Sequence, residues 1–186
     1  MKEMTVDAIM YDLVAKAPVV LLKEENGDRF LPILIGTCEA NAINMGLKNT
    51  PLQRPLTHDL LNHVLDKLQC TVEYILITRI EDSTFFADIV IYNDGEKMEI
   101  DARPSDAIAL AIRTKSPILV NEDILVKAGI PMKAVRRETK TDQDEIGDEE
   151  NFNIDTPKRT DEMSQFRDFI RNVKPKDFFS DLDEEN

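Results

Sequence analysis

A small set of cations, imidazoles and carboxylates carries the chemistry this sequence can offer. Arg103, Ser105 and Asp106 lie in the run Asp101-Ala102-Arg103-Pro104-Ser105-Asp106, directly ahead of six apolar residues, Ala107 to Ile112. Pro, Ser and Asp before an apolar run open a helix, and a helix N-terminus presents unpaired N–H groups and a partial positive charge that favour anions. Arg103 beside it can grip a phosphate with its planar fork. Asp106, and Asp101 on the preceding strand, can accept a proton or hold a divalent cation. The ordinary alternative is a capped helix, with Ser105 as the N-cap and Asp106 complementing the dipole. The residue types alone leave both readings open.

Arg54, His58 and Asp59 form a second group at another helix entry, read with Thr57 as its N-cap. Arg54 offers a phosphate contact there, and His58 in the first turn suits general acid–base work. His63 lies five positions on, so the two imidazoles do not share a face well enough for a metal pair. Glu39 is the third candidate. With Asp101 and Asp106 it makes a carboxylate set for Mg²⁺ or Mn²⁺, the ions that phosphodiester cleavage commonly uses. No P-loop, dinucleotide fingerprint or nucleophile elbow is present, and no organic cofactor is expected. Tryptophan is absent and aromatics are 6%, a poor supply for stacking single strands.

The elements that must position these residues repeat. Thr5-Val6-Asp7 resembles Thr71-Val72-Glu73, and turns at Asn26-Gly27-Asp28 and Asn93-Asp94-Gly95 each separate two apolar runs, a hairpin signal. A helix follows each hairpin, aligning Glu39 with Asp106 and Ala40 with Ala107, and a second helix opens at Thr57 and at Asn121. The expected fold is α+β: an internally duplicated unit of about three strands and two helices, with mixed or antiparallel sheets packed on helices. The pseudo-repeats span about 4–69 and 70–131. Residues 107–112 have no polar face, so that helix is expected to be enclosed. Leu60, Leu61, Val64, Leu65 and Leu68 make one apolar face on another.

Several of these segments together resemble the bifunctional nuclease (BFN) domain family. They are PLTHDLL at 55–61, DARPSDAIALAIR at 101–113, TVDAIMYD at 5–12, RFLPILIG at 29–36 and the helix opening at Glu39-Ala40. The resemblance covers roughly residues 1–135. It implies an α+β domain, often self-associating, with nuclease activity on DNA and RNA. It does not bring a catalytic constellation to transfer residue by residue.

Charge bounds the partners. Residues 1–137 carry 16 basic and 20 acidic side chains, whereas 138–186 carry 7 and 16, so most of the net −13 belongs to the tail. That balance opposes non-specific nucleic-acid binding but allows a local basic pocket. The organisation expected is a BFN-like domain at 1–137, an acidic linker at 138–160, and a C-terminal segment at 161–186. In that segment Met163, Phe166, Phe169 and Ile170 recur at helical spacing, able to contact the chain's own core or a protein partner. Cys38 and Cys70 suggest neither a disulfide nor zinc. With no apolar run of spanning length and no signal-peptide pattern, a cytoplasmic protein with no membrane partner is expected, and a homodimer is the expected assembly. Two functions follow: metal-assisted phosphodiester hydrolysis with nucleic acid as partner, or a non-enzymatic regulatory module whose helix N-terminus binds an anion.

Overall fold

The computed structural model describes residues 1–13, 15–49 and 53–131; the linker and the C-terminal segment lie outside them. The chain runs β1 (Lys2–Asp12), β2 (Ala17–Glu24), β3 (Arg29–Leu34), α1 (Thr37–Leu47), α2 (Thr57–Lys67), β4 (Thr71–Glu81), β5 (Thr84–Asn93), β6 (Glu96–Ala102), α3 (Pro104–Thr114), β7 (Ile118–Val120), α4 (Glu122–Ala128) and β8 (Ile130–Pro131). The described strands form one mixed sheet in the order β6-β5-β4-β7-β1-β2-β3-β8. Two antiparallel meanders, β1-β2-β3 and β4-β5-β6, flank β7, which runs parallel to β4 and antiparallel to β1.

The turn chemistry is local. Asp94 and Gly95 have φ of 49° and 86° between β5 and β6, the positive pair that a tight two-residue hairpin requires. Both long first strands carry a bulge at the acidic residue that the sequence aligns: Asp7 is skipped between Val6 and Ala8, and Glu73 between Val72 and Tyr74.

Register explains the core. Val20 faces Ile33, Leu22 faces Leu31, Ile75 faces both Ile89 and Ile118, and Ile77 faces Ala87 and Val120. Period-2 alternation puts these on one face, where they share a cluster with Ala40 and Ile43 of α1, Leu65 of α2, Ala107–Ala111 of α3, and Ile124 and Leu125 of α4. Helix α3 is enclosed as its composition demands, with Ala107 to Ala111 at most 1% exposed and only Ile112 partly so. Its small residues let α1 approach it closely.

Helix α2 departs from expectation. Only Leu65 of its apolar stripe is buried; Leu60, Leu61, Val64 and Leu68 are 39–61% exposed. Periodicity shows that a stripe exists, but not that anything covers it. The caps differ too. Arg103 and Leu56, both extended, are the N-caps of α3 and α2, so Ser105 and Thr57 fall inside their first turns and cap nothing. Proline at the first helical position fixes φ one residue earlier than a serine cap would require.

Candidate functional site

The site grows from three helix starts that meet. Arg103 leaves the end of β6 and Pro104 starts α3, placing Asp106 at the third helical position, where its carboxylate faces the dipole. Glu39 holds the same position in α1. Its carboxylate folds back over Gly36, into the space a side chain at that position would take, so a larger residue there would turn the Glu39 carboxylate aside. Helix α2 brings His58 in from the side.

Arg103 joins the two carboxylates. Its Nε donates to Asp106 Oδ2 at 2.6 Å and its Nη2 to Asp106 Oδ1 at 3.1 Å, while Nη1 lies 2.9 Å from Glu39 Oε1. His58 Nε2 is 3.2 Å from Asp106 Oδ1. Arg103 is 65% exposed, against 19% for Glu39, 31% for Asp106 and 12% for His58. The cation is therefore the outermost member, with the carboxylates and the imidazole beneath it.

Burial alone would raise the Asp106 carboxyl, but hydrogen bonds from Arg103 and His58 outweigh it and hold the group below its ordinary range. An ionised carboxylate only accepts, so His58 donates through Nε2, and in the neutral imidazole the lone pair is on Nδ1. No hydrogen bond to Nδ1 occurs among the described residues. Ser105 is only 6% exposed, and its hydroxyl has no partner among them either. Pro104 has no N–H, and those of Asp106 and Ala107 both go to the Arg103 carbonyl. The Ser105 hydroxyl and N–H are thus the donors left at this helix end.

Asp101 does not join the group. It pairs with Asp88 across β5 and β6, on the face opposite Ala87 and Ala102, which meet the core and the helices. Strand alternation separates it from Asp106 more firmly than five residues of sequence suggest. Among the described residues no set of three His, Cys, Asp or Glu could hold a metal ion, and Arg103 fills the space between Glu39 and Asp106. The expected set of Glu39, Asp101 and Asp106 is not assembled, and these residues as placed do not fit a divalent cation.

The Arg54 group divides at the α2 first turn. His58 faces Arg103. Asp59 faces the other way, hydrogen-bonded to Arg113 Nε and, at 2.9 Å, to the Leu56 N–H. Burial favours a raised Asp59 carboxyl, but the Leu56 N–H and the Arg113 guanidinium hold it down. Arg54 lies on that side, in a groove with His63, Arg113 and Lys115. Sequence reasoning missed Arg113, because a cation in the last turn of a helix reads as ordinary dipole complementarity. Its spacing of seven from Asp106, two turns along one face, was the available signal.

A mixed sheet carrying α1, α2 and α3, with an arginine–carboxylate–histidine cluster where their N-termini meet, defines an α+β domain with a polar site at its helix mouths. Residues 20–133 match the Bifunctional nuclease domain, and the chain belongs to that family. It is 35% identical over 178 residues to an uncharacterized protein of Mycobacterium tuberculosis (strain ATCC 25618 / H37Rv), spanning 96% of this chain and 98% of that one. It is 29% identical over 120 residues to Bifunctional nuclease 1 of Arabidopsis thaliana, and 28% identical over 120 residues to Bifunctional nuclease 2 of Oryza sativa subsp. japonica. Each plant match covers 62% of this chain and 37% of the relative.

Proposed function

We propose that the chain hydrolyses phosphodiester bonds of DNA and RNA, with Arg103 and the Ser105 donors receiving the phosphate and His58, oriented by Asp106, acting as the base. The observation that carries this is the His58–Asp106–Arg103 chain, in which one carboxylate holds both an imidazole and an exposed guanidinium. His58 Nδ1 would take the proton of the attacking water as its oxygen bonds to phosphorus. The P–O bond to the leaving oxygen would break, and the imidazolium or solvent would return a proton to that oxygen. Arg103 would move from a carboxylate to a phosphate oxygen, both being planar acceptors of the same fork. Glu39 then keeps the arginine at the helix mouth.

One observation favours a second reading. With His58 neutral, Glu39, Asp106 and Arg103 sum to a net −1, which repels a phosphate. Arg103 and Asp106 are tightly paired, as a non-enzymatic module would have them, although Arg103 is not buried.

Cleavage of labelled single- and double-stranded DNA and RNA decides between them, run with Mg²⁺, Mn²⁺ and EDTA. His58→Gln is expected to lower kcat roughly 100- to 10,000-fold with its circular dichroism unchanged. Cleavage that persists in folded His58→Gln and Arg103→Ala would overturn the site, and no cleavage by the parent protein would favour the module.

We also take the chain to self-associate, the apolar α2 face of Leu60, Leu61, Val64 and Leu68 being the surface a second copy would cover. Sedimentation should show a dimer that Leu60→Asp with Leu68→Asp converts to monomer; an unchanged mass would refute this surface.

A further inference from the structure

The groove on the Asp59 side of α2 plays no part in the reaction proposed above. It encloses about 610 Å³ between the end of α1, the start of α2 and the end of α3, within the size range of small-molecule sites. Arg54, His63 and Lys115 line it and are exposed. Neither Arg54 nor Lys115 has an ion-pair partner among the described residues. Asp59 is the one carboxylate among the described lining residues, and Arg113 already neutralises it.

Arg113 is the anchor. Its side chain is 9% exposed, and Nη1 donates to the carbonyls of Ala42 at 3.0 Å and Ala109 at 2.8 Å. With Nε committed to Asp59, Nη2 has no hydrogen bond among the described residues. Lys115 caps α3 in the left-handed conformation, φ 59°. A cation there suits the helix C-terminus. That account fails for Arg54, which stands just ahead of the α2 N-terminus, where the dipole disfavours a cation. Arg54 stands against that field, and with Arg113 and Lys115 around one carboxylate already paired it leaves the groove net positive, which favours an anion. Amide side chains of Asn49 and Asn62, and apolar surface from Met45 and Ile112, lie beside them. Together they offer a phosphate seat next to amide hydrogen-bonding groups and apolar surface, a combination that suits a nucleotide.

We infer that this groove binds the phosphate of a nucleotide, and that when a strand lies across the Arg103 cluster the groove holds a flanking phosphate. The second part rests on the nuclease reading; the binding itself does not. The two regions meet at consecutive residues, His58 and Asp59. Asp106 and Arg113 lie seven residues apart on α3, roughly 10 Å along its axis, a span a short strand covers. A free mononucleotide would present the same chemistry.

Fluorescence anisotropy of a labelled single-stranded 12-mer, titrated in EDTA against the full chain, keeps binding apart from cleavage. Arg54→Ala with Lys115→Ala changes two exposed residues, so the fold should survive, as circular dichroism will check. The expected result is an affinity loss of roughly tenfold, with the slope of log K against log salt flattened by about 1.4, the value for two single-strand phosphate contacts. Lys127→Ala, on α4, should leave both unchanged. Adenosine monophosphate, titrated calorimetrically, supplies the other arm. Binding of it that the double variant loses, with strand binding intact, assigns the groove to a free nucleotide. If the double variant binds strand and mononucleotide as the parent does, or the parent binds neither, the inference is overturned. Loss of binding in the double variant with no cleavage by the parent would leave the groove standing and remove only the nuclease reading.

Discussion

Arg29 and Arg103 are built alike and placed differently. Each stands between two carboxylates, and in each cluster one glutamate folds over a glycine three residues away, Glu24 over Gly27 and Glu39 over Gly36. Arg29 donates to Glu24 through Nε at 2.9 Å and Nη2 at 3.0 Å, and to Glu122 at 2.8 Å, with Lys2 adding a further contact to Glu24. There the carboxylate is 4% exposed and the arginine 24%, so the cluster ties the β2–β3 hairpin to the start of α4. At Arg103 the arginine is 65% exposed and an imidazole lies beneath it. The same residue types staple one region and leave the other accessible, and what separates them is which partner faces water.

Removing each arginine in turn should separate the two clusters. Arg29→Ala leaves Glu24 buried without its main partner, and should cost roughly 3 kcal/mol, a fall in melting temperature on the order of 10 °C. Arg103→Ala removes an exposed cation and should stay within about 1 kcal/mol. Equal losses in chemical denaturation would mean that both clusters are structural.

Acid sharpens the same contrast more gently. The Arg29 hydrogen bond, against the opposing effect of burial, holds the Glu24 carboxyl below its ordinary value, and Asp106 is also lowered. Their stabilisation is present above the unfolded pKa and is lost as pH falls through the folded one. Asp88 runs the other way. Burial raises it first, then the charges of Glu99 and Asp101. Its unfavourable contribution is full above the folded pKa and vanishes as pH falls below the unfolded one, about 4. Asp88→Asn should therefore stabilise the protein at pH 7 by a few tenths of a kcal/mol and have no effect near pH 3. A gain that persists at pH 3 would contradict the assignment.

What the sequence showed and hid follows from range. The enclosed run Ala107–Ala111 of α3, the hairpin at Asp94-Gly95 and the cation beside the Pro104 helix start are written in contiguous residues, and local chemistry decides them. Asp101 misled because a carboxylate near Asp106 in sequence suggests a shared site, whereas its face is set by the β5 register. The split between His58 and Asp59 depends on where α2 crosses α3, and nothing in residues 54–59 encodes that crossing. The exposure of Leu60 and Leu68 was hidden for the same reason: a stripe is local, but its cover is not.

Strand β7 carries a consequence for the order in which the chain assembles. Its three residues lie between the meanders and pair Lys2 with Val120, 118 positions apart. Loop closure of that length is entropically slow, so the sheet has a high contact order. During synthesis the first meander must wait, with an edge of β1 unpaired, until residue 120 has emerged. Completion of this domain is thus a late event, and its N-terminal third is the part that needs shelter while the rest is being made.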